Sequence, residues 1–275
     1  MKILDGAELA GFIKERQIKQ VRALRQSWRV IPRLAIVQTT NDTVIDMYVR
    51  LKKVYAADIL IEVDVYKIDQ AELMARVQVL NADESVHGII IQLPLSDPTQ
   101  TDAAVNAITP AKDVDGLGAG ATMIPATAMA IDWLLAGYNI TLEGKIISII
   151  GNGRLVGAPL ARLWRNNGLS LTVYDDTTPD LVTSVKESEI IVTATGVPSL
   201  ITREMVQPGA VVVDAGTTSE HGKIVGDVAE DVRELDDITI TPQKGGVGPL
   251  TIAALFDNVI QAARVVADRQ GQQDL

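Results

Sequence analysis

Short apolar runs rich in Ile and Val alternate with helix-like segments along almost the whole chain, and this alternation constrains the fold more than any other feature. Aromatic residues make up only 4% of the chain, whereas Ile, Val, Leu and Ala abound, as is typical of buried parallel strands covered by helices. Repeated strand–helix units favour parallel sheets with right-handed crossovers. We therefore predict an α/β protein, and 275 residues are enough for two domains.

Two series of strands and helices are predicted, with a stretch of loop between them. The first series has helices at 6–27, 42–57 and 69–82 and strands at 33–39, 60–66 and 88–95. The second has strands at 145–151, 169–175, 190–196, 210–216 and 238–242, a helix after Gly157 and a terminal helix at 250–269. The stretch 96–123 is rich in Pro, Gly, Asp and Thr, which indicates a short helix near 101–107 and then a long functional loop.

These series predict two three-layer α/β domains, the second of the Rossmann type. The first domain is expected to span 1–124 and to be completed by the C-terminal helix at 253–275. The second is expected to span 125–252 and to begin with a linker helix at 126–138. The order of the strands in each sheet is not predicted.

Charge and hydropathy exclude several classes of function. The formal net charge is −10 and no long run of Lys or Arg occurs, which argues against a general nucleic-acid binder and against an anionic membrane surface as partner. No apolar run of about 18 residues is evident, so no membrane-spanning helix is expected. The N-terminus has an amphipathic pattern without a signal-peptide core, so we expect a cytoplasmic location.

The chain has no cysteine and only two histidines, His87 and His221. Disulfides, thiol nucleophiles and cysteine-ligated zinc are therefore excluded. Because histidine usually carries acid–base catalysis, its scarcity directs attention to lysine, tyrosine, carboxylates or a cofactor.

A glycine-rich turn lies between a predicted strand and a predicted helix in the second series. Its glycines are Gly151, Gly153 and Gly157, a spacing one residue longer than the common dinucleotide fingerprint. Gly151 permits a tight turn, Gly153 permits close approach of a pyrophosphate, and the helix supplies free N–H groups. The alternative is an ordinary packing turn.

The next strand ends in Asp175 and Asp176. Asp175 follows Gly151 by 24 residues, close to the spacing of about 20 expected for a carboxylate that binds the cofactor ribose. Such a carboxylate accepts hydrogen bonds from ribose hydroxyls and repels an added 2′-phosphate. The alternative is that both aspartates only cap the strand end.

Six separated motifs complete the pattern. They are YVRLK at 48–52, HGIIIQLP at 87–94, KDVDG at 112–116, ATGVP at 194–198, VGDV at 225–228 and GGVGPLT at 245–251. Together they resemble the bifunctional methylenetetrahydrofolate dehydrogenase/methenyltetrahydrofolate cyclohydrolases, and the likeness runs from LDG at 4–6 to the final helix. The last motif is the most specific, because nothing structural in a turn before a helix demands all of it.

The resemblance implies NAD(P)-dependent oxidation of methylenetetrahydrofolate, hydrolysis of the methenyl product to 10-formyltetrahydrofolate, and a homodimer. It also implies a folate site in a cleft between the two domains, in which Gln92 supports Lys52 and Asp115 holds the pterin. The catalytic residues implied are Tyr48, Lys52, Gln92 and Asp115, and the further substrate-binding residues are Leu93, Pro94, Gly246 and Pro249.

The implied cofactor site departs from the family pattern. The usual Gly-Arg-Ser turn is replaced at Gly151 to Gly153, the usual Cys-His-Ser strand end by Tyr174 to Asp176, and the usual Asp-Val-Gly-Ile-Asn by residues 214–218. Supports for a 2′-phosphate are lost, so we predict NAD rather than the family's usual NADP. The expected cofactor residues are Gly151, Asn152, Gly153, Arg154, Val156, Gly157, Asp175, Asp176, Thr195, Gly196, Thr217 and Gly245.

Tyr48 and Lys52 are four residues apart on a predicted helix and therefore share a face. The buried stripe of that helix is predicted to be Val44, Met47, Leu51 and Val54, which puts Tyr48 and Lys52 at the edge of the core. There Lys52, with its pKa lowered by desolvation, could transfer the proton during hydrolysis. Taken alone, the pair also fits a packed tyrosine beside a snorkelling lysine.

Two other functions stay open from the sequence: a dehydrogenase without cyclohydrolase activity, and an inactive folate- or nucleotide-binding regulatory protein. A metal site at Asp113 and Asp115 is disfavoured, because no further ligands accompany the pair at suitable spacing.

Overall fold

Two parallel β-sheets organise the structure, a computed structural model that describes residues 1–220 and 223–273. Each sheet lies in its own compact unit. The six-stranded unit consists of Met1–Ala10 and Thr127–Thr251, and the three-stranded unit consists of Gly11–Ala126 and Ile252–Leu275.

Strands and helices alternate through most of the chain. The strands are β1 (Lys2–Ile3), β2 (Arg33–Gln38), β3 (Glu62–Lys67), β4 (Gly88–Gln92), β5 (Ile147–Ile150), β6 (Thr172–Tyr174), β7 (Ile190–Thr193), β8 (Val211–Asp214), β9 (Thr218–Glu220), β10 (Lys223–Val225) and β11 (Thr239–Ile240). The α-helices are α1 (Gly6–Ser27), α2 (Thr43–Asp58), α3 (Leu73–Ala82), α4 (Thr101–Asn106), α5 (Ala126–Gly137), α6 (Gly157–Asn166), α7 (Leu181–Val185) and α8 (Val247–Gln273). Short 3₁₀ turns lie at Gln70–Glu72, Pro98–Gln100, Arg203–Met205 and Glu230–Glu234.

The three-stranded unit has the strand order β3-β2-β4, and both pairings are parallel. The interior of β2 is apolar on both faces and fully buried, as expected for a parallel strand covered on both sides. On one face, Ala35 and Val37 of β2 and Ile89 of β4 pack with Leu73 and Val77 of α3. The carboxyl ends of β2 and β4 are adjacent, since Gln38 pairs with Gln92 in the register.

The six-stranded unit has the order β1-β11-β8-β7-β5-β6, with every pairing parallel. The chain leaves β5 to one side for β6 and then returns to the other side for β7. The carboxyl end of β5 is therefore a topological switch point, where open α/β sheets bind ligands. One face of this sheet packs Ile150, Ile191, Val212 and Ile240 together, with Val185 of α7 against them.

The predicted α/β class with two parallel-sheet domains is confirmed. One boundary differs from the prediction: residues 1–10 lie with the six-stranded sheet, because β1 pairs with β11. β1, the antiparallel pair β9–β10 and α7 were not predicted, since each has five residues or fewer and shows little periodicity. The side chain of His221 lies outside the described residues.

One helix bears on the expectation that no segment spans a membrane. By length and composition alone, α8 is long and apolar enough over Val247–Arg269 to cross one. However, 61% of the apolar window is buried inside the structure, which is typical of a core helix.

Candidate functional site

Lys52 lies on the buried side of α2. The helix begins after Asp42, whose carboxylate accepts hydrogen bonds from the N–H groups of residues 44 and 45. Its buried residues are Ile45, Val49 and Ala56, and position 52 completes this i, i+4, i+7, i+11 stripe. Lys52 itself is partly buried.

The predicted stripe of α2 was therefore wrong. Leu51 and Val54 are exposed, and Val44 and Met47 are only partly buried. The helix is rotated relative to the prediction, so Lys52 occupies a core-facing position rather than the edge of the core. Tyr48, one turn earlier, is partly buried.

Lys52 meets the end of β4. Its Nζ donates a hydrogen bond to Oε1 of Gln92 at 2.7 Å. Burial lowers the pKa of Lys52 from its ordinary value, and the negative charge of Asp115 acts in the opposite direction. The neutral amide of Gln92 holds the ammonium without adding a charge that would raise this pKa. The chain then continues through the cis peptide bond between Leu93 and Pro94.

Lys112 and Asp113 build the loop that carries Asp115. The ammonium of Lys112 donates to the carbonyl oxygens of Leu80, Asn81 and Asp83, at 3.0, 2.9 and 2.6 Å, and so caps the carboxyl end of α3. The buried carboxylate of Asp113 accepts hydrogen bonds from the N–H groups of residues 116 and 118, at 2.9 and 2.8 Å. Both residues thus shape the loop from inside.

The terminal helix fixes the two ends of the same loop. The buried side chain of Asn258 donates from Nδ2 to the carbonyl oxygens of Val114 and Ile124, at 2.8 and 2.9 Å. The loop between them presents Asp115, and burial raises the pKa of Asp115 to about 6. The positive charge of Lys52 opposes this shift. Lys52, Gln92 and Asp115 therefore form one electrostatically coupled group in the three-stranded unit.

A metal is not favoured at this loop. Both carboxylate oxygens of Asp113 accept backbone hydrogen bonds. In the described part of the chain, no group of three or more His, Cys, Asp or Glu side chains is arranged to hold a metal ion.

In the six-stranded unit, the turn from β5 to α6 has the form of a phosphate cradle. Gly151 has a φ of 99°, in the region that favours glycine. A Cβ at Gly157 would lie 1.7 Å from the carbonyl oxygen of Gly151, so only glycine fits there. A Cβ at Gly153 would meet nothing within 4 Å, and Asn152, Gly153 and Arg154 are exposed. The turn thus offers open backbone before a helix N-terminus, which fits a dinucleotide pyrophosphate. Val156 directly precedes α6.

Asp175 lies beside this turn, because the N–H of Gly151 donates to the carbonyl oxygen of Tyr174 at 2.8 Å. The Oδ1 of Asp175 accepts hydrogen bonds from the N–H and hydroxyl of Thr177, at 3.0 and 2.6 Å, which lowers the pKa of Asp175. Asp175 and Asp176 are both exposed. Asp175 therefore closes a local turn with one oxygen and keeps a carboxylate at the carboxyl end of β6.

The turns that follow β7 and β8 are joined by a network that the sequence did not predict. Asp227, 1% exposed, accepts three hydrogen bonds on Oδ2 from the hydroxyl of Thr193 and from the N–H and hydroxyl of Thr195. The hydroxyl of Thr218 donates to the carbonyl oxygen of Gly196. The predicted cofactor residues Thr195 and Gly196 are thereby linked to the segment that contains Thr217.

The Gly245–Gly246 pair has a structural cause that sequence analysis missed. Gly245 has a φ of 86°, and its carbonyl oxygen accepts a hydrogen bond from the N–H of Ala7 at 2.9 Å. A Cβ at Gly6 would lie 1.9 Å from the carbonyl oxygen of Gly246. The start of α1 thus packs directly against this loop. Helix α8 begins at residue 247, earlier than predicted, with Pro249 in its first turn. Gly246 and Pro249 belong to the six-stranded unit, whereas the Lys52 group belongs to the other unit.

Two family models match the chain. The model for the catalytic domain of tetrahydrofolate dehydrogenase/cyclohydrolase matches residues 4–115. The model for the NAD(P)-binding domain of the same enzymes matches residues 125–267.

Full-length relatives give the same picture. The bifunctional protein FolD of Exiguobacterium sibiricum is 36% identical over 276 residues, covering 95% of this chain and 99% of that protein. The crystal structure of the bifunctional methylenetetrahydrofolate dehydrogenase/cyclohydrolase FolD of Campylobacter jejuni is 36% identical, with a TM-score of 0.90 and coverage of 96% of this chain and 99% of that one. The Trypanosoma brucei FolD structure, complexed with NADP and an inhibitor, is 30% identical, with a TM-score of 0.89 and coverage of 96% and 97%.

Proposed function

This chain belongs to the tetrahydrofolate dehydrogenase/cyclohydrolase family, and we propose that it oxidises methylenetetrahydrofolate to methenyltetrahydrofolate with a nicotinamide dinucleotide and hydrolyses the product to 10-formyltetrahydrofolate. The observation that carries both activities is the hydrogen bond from Lys52 to Gln92 beside Asp115, in a chain that also holds the Gly151–Gly157 cradle.

The dehydrogenase step needs little from protein side chains. A bound nicotinamide dinucleotide would supply the acceptor for the hydride of the methylene carbon, and the folate nitrogens would stabilise the positive charge left on that carbon. The turn at 151–157 holds the dinucleotide, and the residues around Lys52 hold the folate, so the contribution of the protein is alignment. We assign Tyr48, Leu93, Pro94, Gly246 and Pro249 to contacts with the substrate.

The hydrolytic step needs a base. Water adds to the methenyl carbon and loses one proton to the base. As the ring opens, the new hydroxyl loses its proton, a carbon–nitrogen bond breaks, the released nitrogen takes up a proton, and the formyl group stays on the other nitrogen. Burial lowers the pKa of Lys52, which favours the neutral amine that can take that proton. Asp115 accepts hydrogen bonds from the pterin amino and ring N–H groups. Hydride transfer alone does not require the Lys52–Gln92 hydrogen bond, so a bifunctional enzyme is favoured over a dehydrogenase without cyclohydrolase activity.

The absorbance of methenyltetrahydrofolate tests this assignment. The chain should form this absorbance from methylenetetrahydrofolate only when a nicotinamide cofactor is added. It should also remove the absorbance of added methenyltetrahydrofolate without any cofactor. Cofactor-dependent formation without removal would indicate a dehydrogenase only, and neither activity would indicate a binding protein.

We propose further that NAD is the preferred cofactor. A carboxylate at the carboxyl end of β6, next to the Gly151 turn, accepts hydrogen bonds from ribose hydroxyls and repels a 2′-phosphate. The support is Asp175 with the adjacent Asp176, both exposed and both acidic.

Steady-state kinetics with both cofactors test this preference. The kcat/KM for NAD should exceed that for NADP, and Asp175→Ser should raise kcat/KM for NADP. Glu187→Gln is the matched control and should leave both values unchanged. It also removes one negative charge, but it does so before the amino end of β7, at the opposite end of the strands. A higher kcat/KM for NADP in the unaltered chain would refute the preference.

We also propose that the chain forms a homodimer and is located in the cytoplasm. The homodimer rests on family resemblance, and light scattering of the purified chain at several concentrations tests it.

A further inference from the structure

The carboxyl ends of β7 and β8 lie on one side of the phosphate cradle. In the sheet order, β6 with Asp175 flanks β5 on one side, and β7 followed by β8 flanks it on the other. A dinucleotide with its pyrophosphate at the turn after β5 and its adenosine ribose at Asp175 therefore extends its nicotinamide half toward β7 and β8.

Asp227 holds the turn after β7. Its Oδ2 accepts hydrogen bonds from the hydroxyl of Thr193 at 2.7 Å and from the N–H and hydroxyl of Thr195 at 2.6 and 2.9 Å. The hydroxyl oxygen of Thr195 in turn accepts from the N–H of Val197 at 3.1 Å. The geometry of the residues at 195–197 thus depends on the carboxylate of a segment 30 residues later in the chain.

Asp227 also contacts the turn after β8. A Cβ at Gly216 would lie 1.9 Å from Oδ1 of Asp227, so the carboxylate lies directly against this glycine. Asp214, at the end of β8, accepts hydrogen bonds from the N–H groups of Gly216 and Asp227, at 3.2 and 3.0 Å. The two turns and the segment around Asp227 are therefore one hydrogen-bonded assembly.

The charges of this assembly do not cancel. Asp214 pairs with Arg233, whose Nη2 donates to Oδ2 of Asp214 at 3.0 Å. The same guanidinium donates from Nη1 to the carbonyl oxygen of Thr241. Oδ1 of Asp227 is buried and has no hydrogen-bond partner among the described residues. Arg233 thus offsets the charge of Asp214, whereas no cationic side chain among the described residues lies within ion-pair distance of Asp227.

We propose that Asp227 is a positioning residue for the nicotinamide half of the cofactor, and that its unpaired charge favours binding of the oxidised, positively charged nicotinamide over the reduced, neutral one. The inference rests on the proposed use of a nicotinamide dinucleotide. The side chain of Asp227 thus has two separable effects. It fixes the geometry of two turns, and its charge favours the oxidised cofactor.

The electrostatic preference is tested by measuring dissociation constants with the full chain, by fluorescence and calorimetric titration. The ligands are NAD⁺, NADH, NADP⁺ and NADPH. Asp227→Asn keeps an oxygen for the three donors and removes the charge. It should weaken binding of the oxidised form, so the dissociation constant of the oxidised form divided by that of the reduced form should rise, on the order of tenfold. Arg233→Gln removes the compensating charge and should shift this ratio the opposite way. Glu187→Gln, an exposed charge beyond the amino end of β7, should leave it unchanged.

Thr195 variants test the positioning part, and they remain informative if Asp227→Asn fails to fold. Thr195→Val loses one hydroxyl donor to Asp227 and should weaken binding of the oxidised and reduced forms equally. Thr195→Ser keeps the hydroxyl and should bind both forms more tightly than Thr195→Val does. An unchanged ratio in both Asp227→Asn and Arg233→Gln would overturn the electrostatic effect. Unaltered binding by Thr195→Val would overturn the positioning effect. If the unaltered chain binds none of the four dinucleotides, the proposed function itself is refuted.

Discussion

The Nζ of Lys52 lies 2.7 Å from the Oε1 of Gln92, and this hydrogen bond joins the buried face of α2 to the carboxyl end of β4. The amide satisfies the lysine without supplying a negative charge, so burial lowers the pKa of Lys52. The pair therefore combines a fixed position with an amine that loses its proton more easily than an exposed lysine does, as a general base requires.

Gln92→Glu should impair hydrolysis by raising the pKa of Lys52. A carboxylate at hydrogen-bond distance favours the ammonium form. The limb of the cyclohydrolase pH–rate profile that rises with pH should therefore move to higher pH, and the rate near neutrality should fall by about tenfold or more. The exposed Gln26→Glu adds the same charge and should leave the profile in place. An unshifted limb in Gln92→Glu would argue that Lys52 is not the group that titrates.

Lys112→Met should destabilise the three-stranded unit. The variant removes a charged donor from three carbonyl oxygens at the end of α3 and frees the loop that carries Asp115. Urea denaturation should show that the free energy of unfolding falls by about 2 kcal/mol, the usual contribution of hydrogen bonds to a charged group. Lys19→Met, at an exposed site on α1, is the control. Equal stability of the two variants would contradict the capping role.

Gly6→Ala and Gly11→Ala should have opposite effects, although both glycines lie in α1. A Cβ at Gly6 would lie 1.9 Å from the carbonyl oxygen of Gly246, so the loop at 245–246 must move and the melting temperature should fall. A Cβ at Gly11 meets nothing within 4 Å, and alanine there should stabilise the helix by about 0.5–1 kcal/mol. Tolerance of Gly6→Ala without change would refute the close approach.

His87 should make stability depend on pH. Its Nδ1 accepts a hydrogen bond from the N–H of Arg33 at 3.2 Å, and burial lowers the pKa of His87 in the folded chain. The unfolded chain therefore binds the proton more tightly, so the contribution is complete above about pH 6.5, the ordinary histidine value, and is lost as pH falls below it.

The difference in the free energy of unfolding between the unaltered chain and His87→Gln isolates this contribution. It should shrink between pH 7.5 and pH 5, since every other titrating group is shared. A difference that stays constant with pH would contradict a buried neutral imidazole.

Sequence periodicity predicted the strands and long helices well, because β-branched runs and helical spacing are local properties. The buried face of α2 was missed for a physical reason. A lysine at position 52 is not counted as a core residue, so Leu51 and Val54 were favoured, and both are exposed. The Lys52–Gln92–Asp115 group was expected from family resemblance alone, whereas its hydrogen bond and the pKa shifts of Lys52 and Asp115 depend on burial that no local pattern reveals.

The hydrogen bonds around Asp227 could not be predicted from the sequence for a different reason. Its donors Thr193 and Thr195 precede it by 34 and 32 residues and meet it only once β7 and β8 are paired in the sheet. The glycines of the 245–251 motif were likewise attributed to function alone, because their close neighbour Gly6 is at the opposite end of the chain.

Lys52→Met tests whether Lys52 is the base of the hydrolytic step, with Lys53→Met at an exposed neighbouring position as control. Supplied with methylenetetrahydrofolate and cofactor, Lys52→Met should accumulate the absorbance of methenyltetrahydrofolate, and Lys53→Met should pass it on to 10-formyltetrahydrofolate as the unaltered chain does. Because the base is lost, hydrolysis by Lys52→Met should be slower by about a hundredfold or more. Hydrolysis of methenyltetrahydrofolate by Lys52→Met at the unaltered rate would contradict it.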